Sequence, residues 1–197
     1  MLAEEFVVNK VPLVSETVHA AKAGVTFSKQ SGLASQLKQT VSQEVSTRWN
    51  SKVSMLKSVC SQFEETEAPL GSRNTPVMES VNQTTLNELI EFLKPFKDAS
   101  DTLEEANRPT LPLVVLYAST LKEHLECALV CAVEAVEIEK LKSRARPFLN
   151  TQLGISLLHK TAAFLQPQFR QLCMWSEDER LEVHVHVGEL LPMSVKE

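Results

Sequence analysis

Glycine is scarce in this chain, five residues in 197. That scarcity argues against a β-sandwich or barrel, whose many tight turns need glycine at positive φ. Most prolines fall at the edges of apolar-periodic segments, so helices are expected to dominate. No stretch approaches the roughly 18 uninterrupted apolar residues of a membrane span, and no membrane contact is expected. The opening Met1-Leu2-Ala3-Glu4-Glu5-Phe6 carries acids where a secretory leader needs a basic start and a long apolar run, which predicts an intracellular protein. G-x-S-x-G, a glycine-rich phosphate loop, H-E-x-x-H and C-x-x-C are all missing. The expectation is therefore no enzyme activity, no catalytic residues, no cofactor and no resident metal. Positive charge is short as well: Lys and Arg number 20 against 25 Asp and Glu, a net charge of −5. A chain with that balance lacks the electrostatic footprint of an autonomous nucleic-acid binder, so any DNA contact is expected to be weak.

What is present is ordinary globular composition, 43% hydrophobic and 23% charged, at a length that suits one domain. Four cysteines, Cys60, Cys127, Cys131 and Cys173, read as free thiols in a reducing compartment. His124, Cys127 and Cys131 stand at helical offsets that place three donors on one face. A structural zinc usually draws a second ligand pair from elsewhere in the fold, and these cysteines are assigned to packing. His184 and His186 share a face only in a strand, and are read as a solvated pair.

Apolar spacing marks the elements in turn. Val14, Val18, Ala21 and Val25 predict a helix that ends near Gly24, followed by a short helix or two joined at Ser31-Gly32. Trp49, Val53, Leu56, Cys60 and Phe63 fall at intervals of four, three, four and three, a single stripe on a helix. A surface loop is expected near residues 67–84, around Pro69 to Pro76. Thr85-Leu86-Asn87-Glu88 has capping-box spacing and opens a stripe of Leu86, Leu89, Ile90, Leu93 and Phe96, which Pro95 is expected to kink or divide. Pro112 suits the first turn of a helix through Leu125, and another helix is expected from about Leu129 to Arg146. Ile155 to Leu165 predicts a helix closed by Pro167. Ser176-Glu177-Asp178-Glu179 is a second capping box ahead of Leu181 to Val187, where valine alternates with polar residues. Alternation favours a strand and the cap favours a helix; helix is the expectation.

Three ordered blocks carry a family resemblance. Thr47-Arg48-Trp49-Asn50-Ser51 with Met55-Leu56, preceded by Val25-Thr26-Phe27-Ser28-Lys29-Gln30-Ser31, resembles the hAT superfamily of DNA transposases and the BED-type zinc-finger proteins derived from them. Pro109-Thr110-Leu111-Pro112-Leu113-Val114 is similar to that family's "PTL" helix start, and His159 to Leu172 to its "A-x-x-LDPRFKxL" block. Members have an RNase-H-like core with three catalytic acids, interrupted by an all-helical insertion. The resemblance implies an all-α fold, an irregular helical bundle like that insertion domain. Residues 1–46 would be an N-terminal helical segment, the remnant flank of the core, and 47–197 the insertion-like domain. Nuclear localisation is implied too. Where the family commonly has an aspartate before the Thr-Arg-Trp step the nearest acid is Glu44, and the "LDP" aspartate is Gln166. The family's cleavage needs carboxylates converging on divalent metals, which Glu44 alone does not supply, so no transposase activity is expected.

For Arg48 and Trp49 the resemblance implies nucleic-acid contact, an indole stacked on an extruded base and an arginine on phosphate. The residues themselves leave a second reading, in which Trp49 anchors the core on the stripe with Val53 and Leu56 and Arg48 lies along the surface. The function expected is a catalytically inactive transposase-derived module that contacts DNA weakly, protein partners or a second copy of itself. The alternative is a truncated gene remnant with no independent role.

Overall fold

The structure, a computed structural model, describes residues 8–30, 49–66, 81–126, 136–170 and 175–190. Among them every regular element is helical, as the all-α expectation has it. A 3-10 turn at Val8–Lys10 leads into α1 (Pro12–Gln30), followed by α2 (Trp49–Thr66), α3 (Gln83–Leu103), α4 (Leu111–Glu126), α5 (Val136–Gln152), α6 (Leu157–Leu165) and α7 (Glu177–Leu190).

α1 starts on Pro12, whose fixed φ suits a first helical position, and Ser15 N–H donates to the Val11 carbonyl at 2.9 Å. Val14, Val18, Ala21 and Val25 are all buried. The helix does not stop near Gly24. Gly24 is itself buried and α1 runs on to Gln30, because Val25 carries the apolar stripe into the core and its burial outweighs the ~1 kcal/mol penalty of one helical glycine. Phe27, expected on a separate segment, belongs to α1; the Ser31-Gly32 joint lies outside the described residues.

α2 bears out the stripe through Val53 and Leu56, both fully buried, with Cys60 half-buried. Met55 and Val59 are fully buried too, because α2 packs against both α1 and α3 and so has a wider apolar face than one stripe. The Cys60 thiol donates to Asn87 Oδ1 across α2 and α3 at 2.8 Å.

The cap of α3 lies three residues before the expected one. Asn82 is the N-cap, its Oδ1 accepting the Thr85 N–H at 3.0 Å, and Thr85 is buried inside the first turn. Val81 before the cap and Leu86 after it join the same core cluster, the arrangement of a hydrophobic staple, which sets the earlier start. Pro95 does not divide the helix. Phe92 and Ala99 are buried on either side of it and hold α3 in register, although proline supplies no N–H to the preceding turn.

The first core joins α1, α2, α3, Leu125 of α4, and Ile138, Leu141 and Ala145 of α5. α5 continues past Arg146 and through Pro147, since Phe148 and Leu149 beyond it pack on that core. Residues 127–135, including the start expected near Leu129, lie outside the described residues. Arg146 Nε donates to the Leu125 carbonyl at 2.8 Å, satisfying a carbonyl of the last turn of α4. A second, smaller core gathers Val115 of α4, Ala163 of α6, Trp175 and Val183 of α7. α4 thus reaches both cores and links the two halves.

α7 is helical where alternation suggested a strand. Glu179 Oε2 accepts the Ser176 N–H at 3.1 Å and Ser176 Oγ accepts the Glu179 N–H at 3.3 Å, the reciprocal pair of a capping box.

Candidate nucleic-acid interface

Trp49 is the first residue of α2; its backbone is described and its side chain is not, and Arg48 lies outside the described residues. What the structure does establish is their setting. The start of α2 is tied to the end of α3: Asn50 Nδ2 donates to Ser100 Oγ at 3.2 Å and to Asp101 Oδ1 at 3.0 Å. Ser54 Oγ donates back to the Asn50 carbonyl at 3.1 Å. The Asn50 amide nitrogen is thereby committed to the fold.

Two fields meet there. Exposed N–H groups at a helix start favour an anion. Against them, the segment from Lys97 to Arg108 carries four carboxylates, Asp98, Asp101, Glu104 and Glu105, and two cations, Lys97 and Arg108. Lys97 pairs with Asp101, Arg108 with Glu105 at 3.2 Å, and the Ser100 hydroxyl donates to Glu104 at 3.0 Å. A phosphate approaching α2 from the α3 side meets a net negative surface.

The other sequence candidates resolve into structural roles. Pro109 to Val114 opens α4, with Leu113 and Val114 N–H both directed at the Thr110 carbonyl, at 2.9 and 3.3 Å. In the block from His159, the Ser156 N–H donates to His159 Nδ1 at 3.2 Å, so a histidine fills the place usually taken by Glu or Gln in a capping box. Gln166, standing where the family has aspartate, ends α6 with its N–H on the Ala163 carbonyl at 3.1 Å, and its Oε1 is buried without a partner. Phe164 and Phe169 pack on the second core. Residues 171–174 lie outside the described residues.

His124 Nε2 lies 3.0 Å from the Phe92 carbonyl. Since a carbonyl only accepts, Nε2 carries the proton and the ring serves to pin α4 to α3. It stacks among Phe92 and Phe96, with centroids at 5.7 and 6.0 Å. The Phe92 and His124 rings, with Pro95, Tyr117 and Lys142, line a groove of about 880 Å³ between α3, α4 and α5. Cys127 and Cys131 lie outside the described residues, within which no three His, Cys, Asp or Glu side chains gather as a metal site. His184 and His186 diverge on α7: His184 meets Phe164 edge-on at 4.7 Å, while His186 Nδ1 is 3.9 Å from Glu189.

One cluster escaped sequence reasoning. Lys160 of α6 bonds Glu179 at 2.9 Å, reaches Glu182 at 3.9 Å and lies 5.7 Å from the centre of the Trp175 ring. Glu179 is held below its ordinary value by the Lys160 hydrogen bond first and the Ser176 N–H second. The capping box was visible in sequence, but its lysine stands nineteen residues earlier and no local pattern points to it.

No family model matches the chain. It is similar to the transposable element Hobo transposase of Drosophila melanogaster, 26% identical over 157 residues. That match covers 79% of this chain and 23% of the fly protein, so the chain spans less than a quarter of its relative's length. The similarity agrees with a relation to hAT transposases.

Proposed function

We propose that this chain is a catalytically inert, transposase-derived helical module of the nucleus, akin to the BED-type zinc-finger relatives of the hAT transposases. It makes protein contacts and touches DNA weakly through Arg48 and Trp49. The observation that carries the reading is the use made of the resembling blocks. Trp49 opens α2, Pro109 to Val114 opens α4, and the block from His159 builds most of α6 and the turn after it. All three serve as helix starts and packing in an all-helical bundle similar in sequence to a transposase. Cleavage by metal-bound carboxylates needs several acids converging on the metals. The acidic end of α3 beside Asn50 accounts for a contact that is weak rather than tight.

Hairpin-ended DNA titrated at low salt against wild type and Trp49→Ala tests the contact. One lost stacking interaction is worth about 1–3 kcal/mol, so Trp49→Ala should weaken binding roughly fivefold to a hundredfold. Equal affinity for both proteins discards the stacking role. The same DNA incubated with magnesium or manganese should stay intact, and nicking that disappears in Glu44→Gln overturns inertness. A remnant with no independent role is the second reading, favoured by the exposure of Leu158, Leu165, Leu181, Val185 and Leu190. Aggregation without a cooperative melt supports the remnant; a cooperative melt of soluble protein supports the module.

A further inference from the structure

We propose that the outer face of α7 docks a basic amphipathic helix of a partner protein. α7 carries apolar residues on two opposite sides. Val183 is fully buried and Val187 half-buried against α6 and Trp175. Leu181 and Val185, four apart and so on one stripe, face away from them at 63% and 54% exposure. The rotation of the helix is fixed by its capping box and by the Lys160 to Glu179 bond, so the outer stripe is not a core face waiting to turn inward.

Gly188 extends that stripe by three residues. A glycine inside a helix weakens it relative to alanine, yet a Cβ built there meets nothing within 4 Å. Among the described residues nothing requires the absence of a side chain at 188, whereas a helix laid along Leu181 and Val185 would approach α7 most closely there. The flanks name the partner's charge. Glu177, Asp178, Glu182 and Glu189 are all exposed around the stripe. Glu182 lies 3.9 Å from Lys160 and Glu189 3.9 Å from His186, each with its carboxylate mostly in solvent. The one basic residue of the helix with permanent charge, Arg180, is half-buried and turned back on the Ser176 carbonyl at 3.5 Å. An apolar line bordered by acids repels phosphate and repels a second copy of itself, and it complements a helix whose apolar residues are flanked by Lys or Arg. The inference goes beyond the DNA contact and stands independently of Trp49.

The test uses the full chain and three synthetic helical peptides followed by fluorescence anisotropy. One has leucines at helical spacing flanked by lysines, one has glutamates in place of those lysines, and one keeps the lysines with serines in place of the leucines. Wild type should bind the Lys/Leu peptide and neither of the others, with affinity falling as salt rises. Leu181→Ser with Val185→Ser should weaken binding by about tenfold or more, as expected on removing central apolar anchors. These residues are exposed, so melting should stay close to wild type. Gly188→Ala should melt higher and yet bind the peptide less tightly, a combination that a merely structural glycine does not give. Glu182→Lys with Glu189→Lys should transfer preference to the glutamate peptide. Unchanged binding in the Leu181 and Val185 variant, equal binding of the lysine and glutamate peptides, or self-association of wild type abolished by that variant overturns the proposal. Trp49→Ala should leave peptide binding intact, so failure of the DNA reading and failure of this one are separable.

Discussion

Val183→Ala and Val185→Ala remove the same two methyl groups from the same helix, two residues apart, and the structure assigns them very different costs. Val183 is fully buried in the second core, whereas Val185 is 54% exposed. For Val183 the lost transfer energy is about 0.8 kcal/mol per carbon, roughly 1.6 in all, and the unfilled cavity brings the total to about 2–3 kcal/mol. For Val185 about half of that transfer term remains, near 0.8 kcal/mol; the better helix propensity of alanine offsets roughly 0.5 kcal/mol at both positions and cancels in the comparison. The difference should be about 2 kcal/mol. For a chain of this size that separates the melting temperatures by about 4–8 °C. Urea titration followed by circular dichroism at a constant m-value gives the same quantity without extrapolating in temperature. The comparison also decides the element. In a strand, residues two apart share a face and would cost alike; in the helix they lie far apart around the axis. Equal destabilisation by the two substitutions refutes both the helical assignment and the outward stripe on which partner docking depends.

Two further outcomes follow from local geometry. Asn82→Ala removes the acceptor for the Thr85 N–H and should cost about 1 kcal/mol, while Asn82→Asp should keep the cap; denaturant titration of both reads the difference. Glu179 is held below its ordinary 4.5 by Lys160, so the folded state favours the carboxylate. Its contribution is fully present above pH 4.5 and is lost as pH falls through the lowered folded value. Stability curves of wild type and Glu179→Gln should therefore run apart above that pH and converge in stronger acid, by no more than about 1 kcal/mol because the pair is partly solvated. A gap that is independent of pH would show that the carboxylate charge contributes nothing.

How much of this was legible in the sequence depends on how local the deciding physics was. The α2 stripe was legible because burial on a helix repeats at a short fixed period, and Val53 and Leu56 are where that period places them. Met55 and Val59 were not, since their burial depends on α2 lying between α1 and α3, a fact held in residues far along the chain. The caps divided the same way. Ser176 and Glu179 satisfy one another within four residues and were read correctly; at α3 the spacing pointed to Thr85, and the burial of Val81 and Leu86 set the cap at Asn82, three residues earlier. Gly24 and Pro95 were read as helix breakers from intrinsic cost, and both were overridden by buried neighbours, Val25 in one case and Phe92 with Ala99 in the other.

The candidate interface shows the same limit applied to charge. Arg48 and Trp49 can be picked out of the sequence by residue type alone, but the field in which they act is set by a segment about fifty residues further on. Asn50 draws Ser100 and Asp101 to the start of α2, bringing the acid-rich end of α3 beside the tryptophan. A local reading sees an aromatic, a guanidinium and a helix start, three features that favour nucleic acid; the folded chain adds Asp101 at 3.0 Å from Asn50, in a segment whose four carboxylates outnumber its two cations. Binding should then respond to Asp101 and Glu104 as well as to Trp49. Neutralising those two acids ought to tighten DNA binding at low salt, and the gain should shrink as added salt screens it. An affinity indifferent to both substitutions, with Trp49→Ala still weakening it, would mean that DNA approaches α2 from the side away from α3.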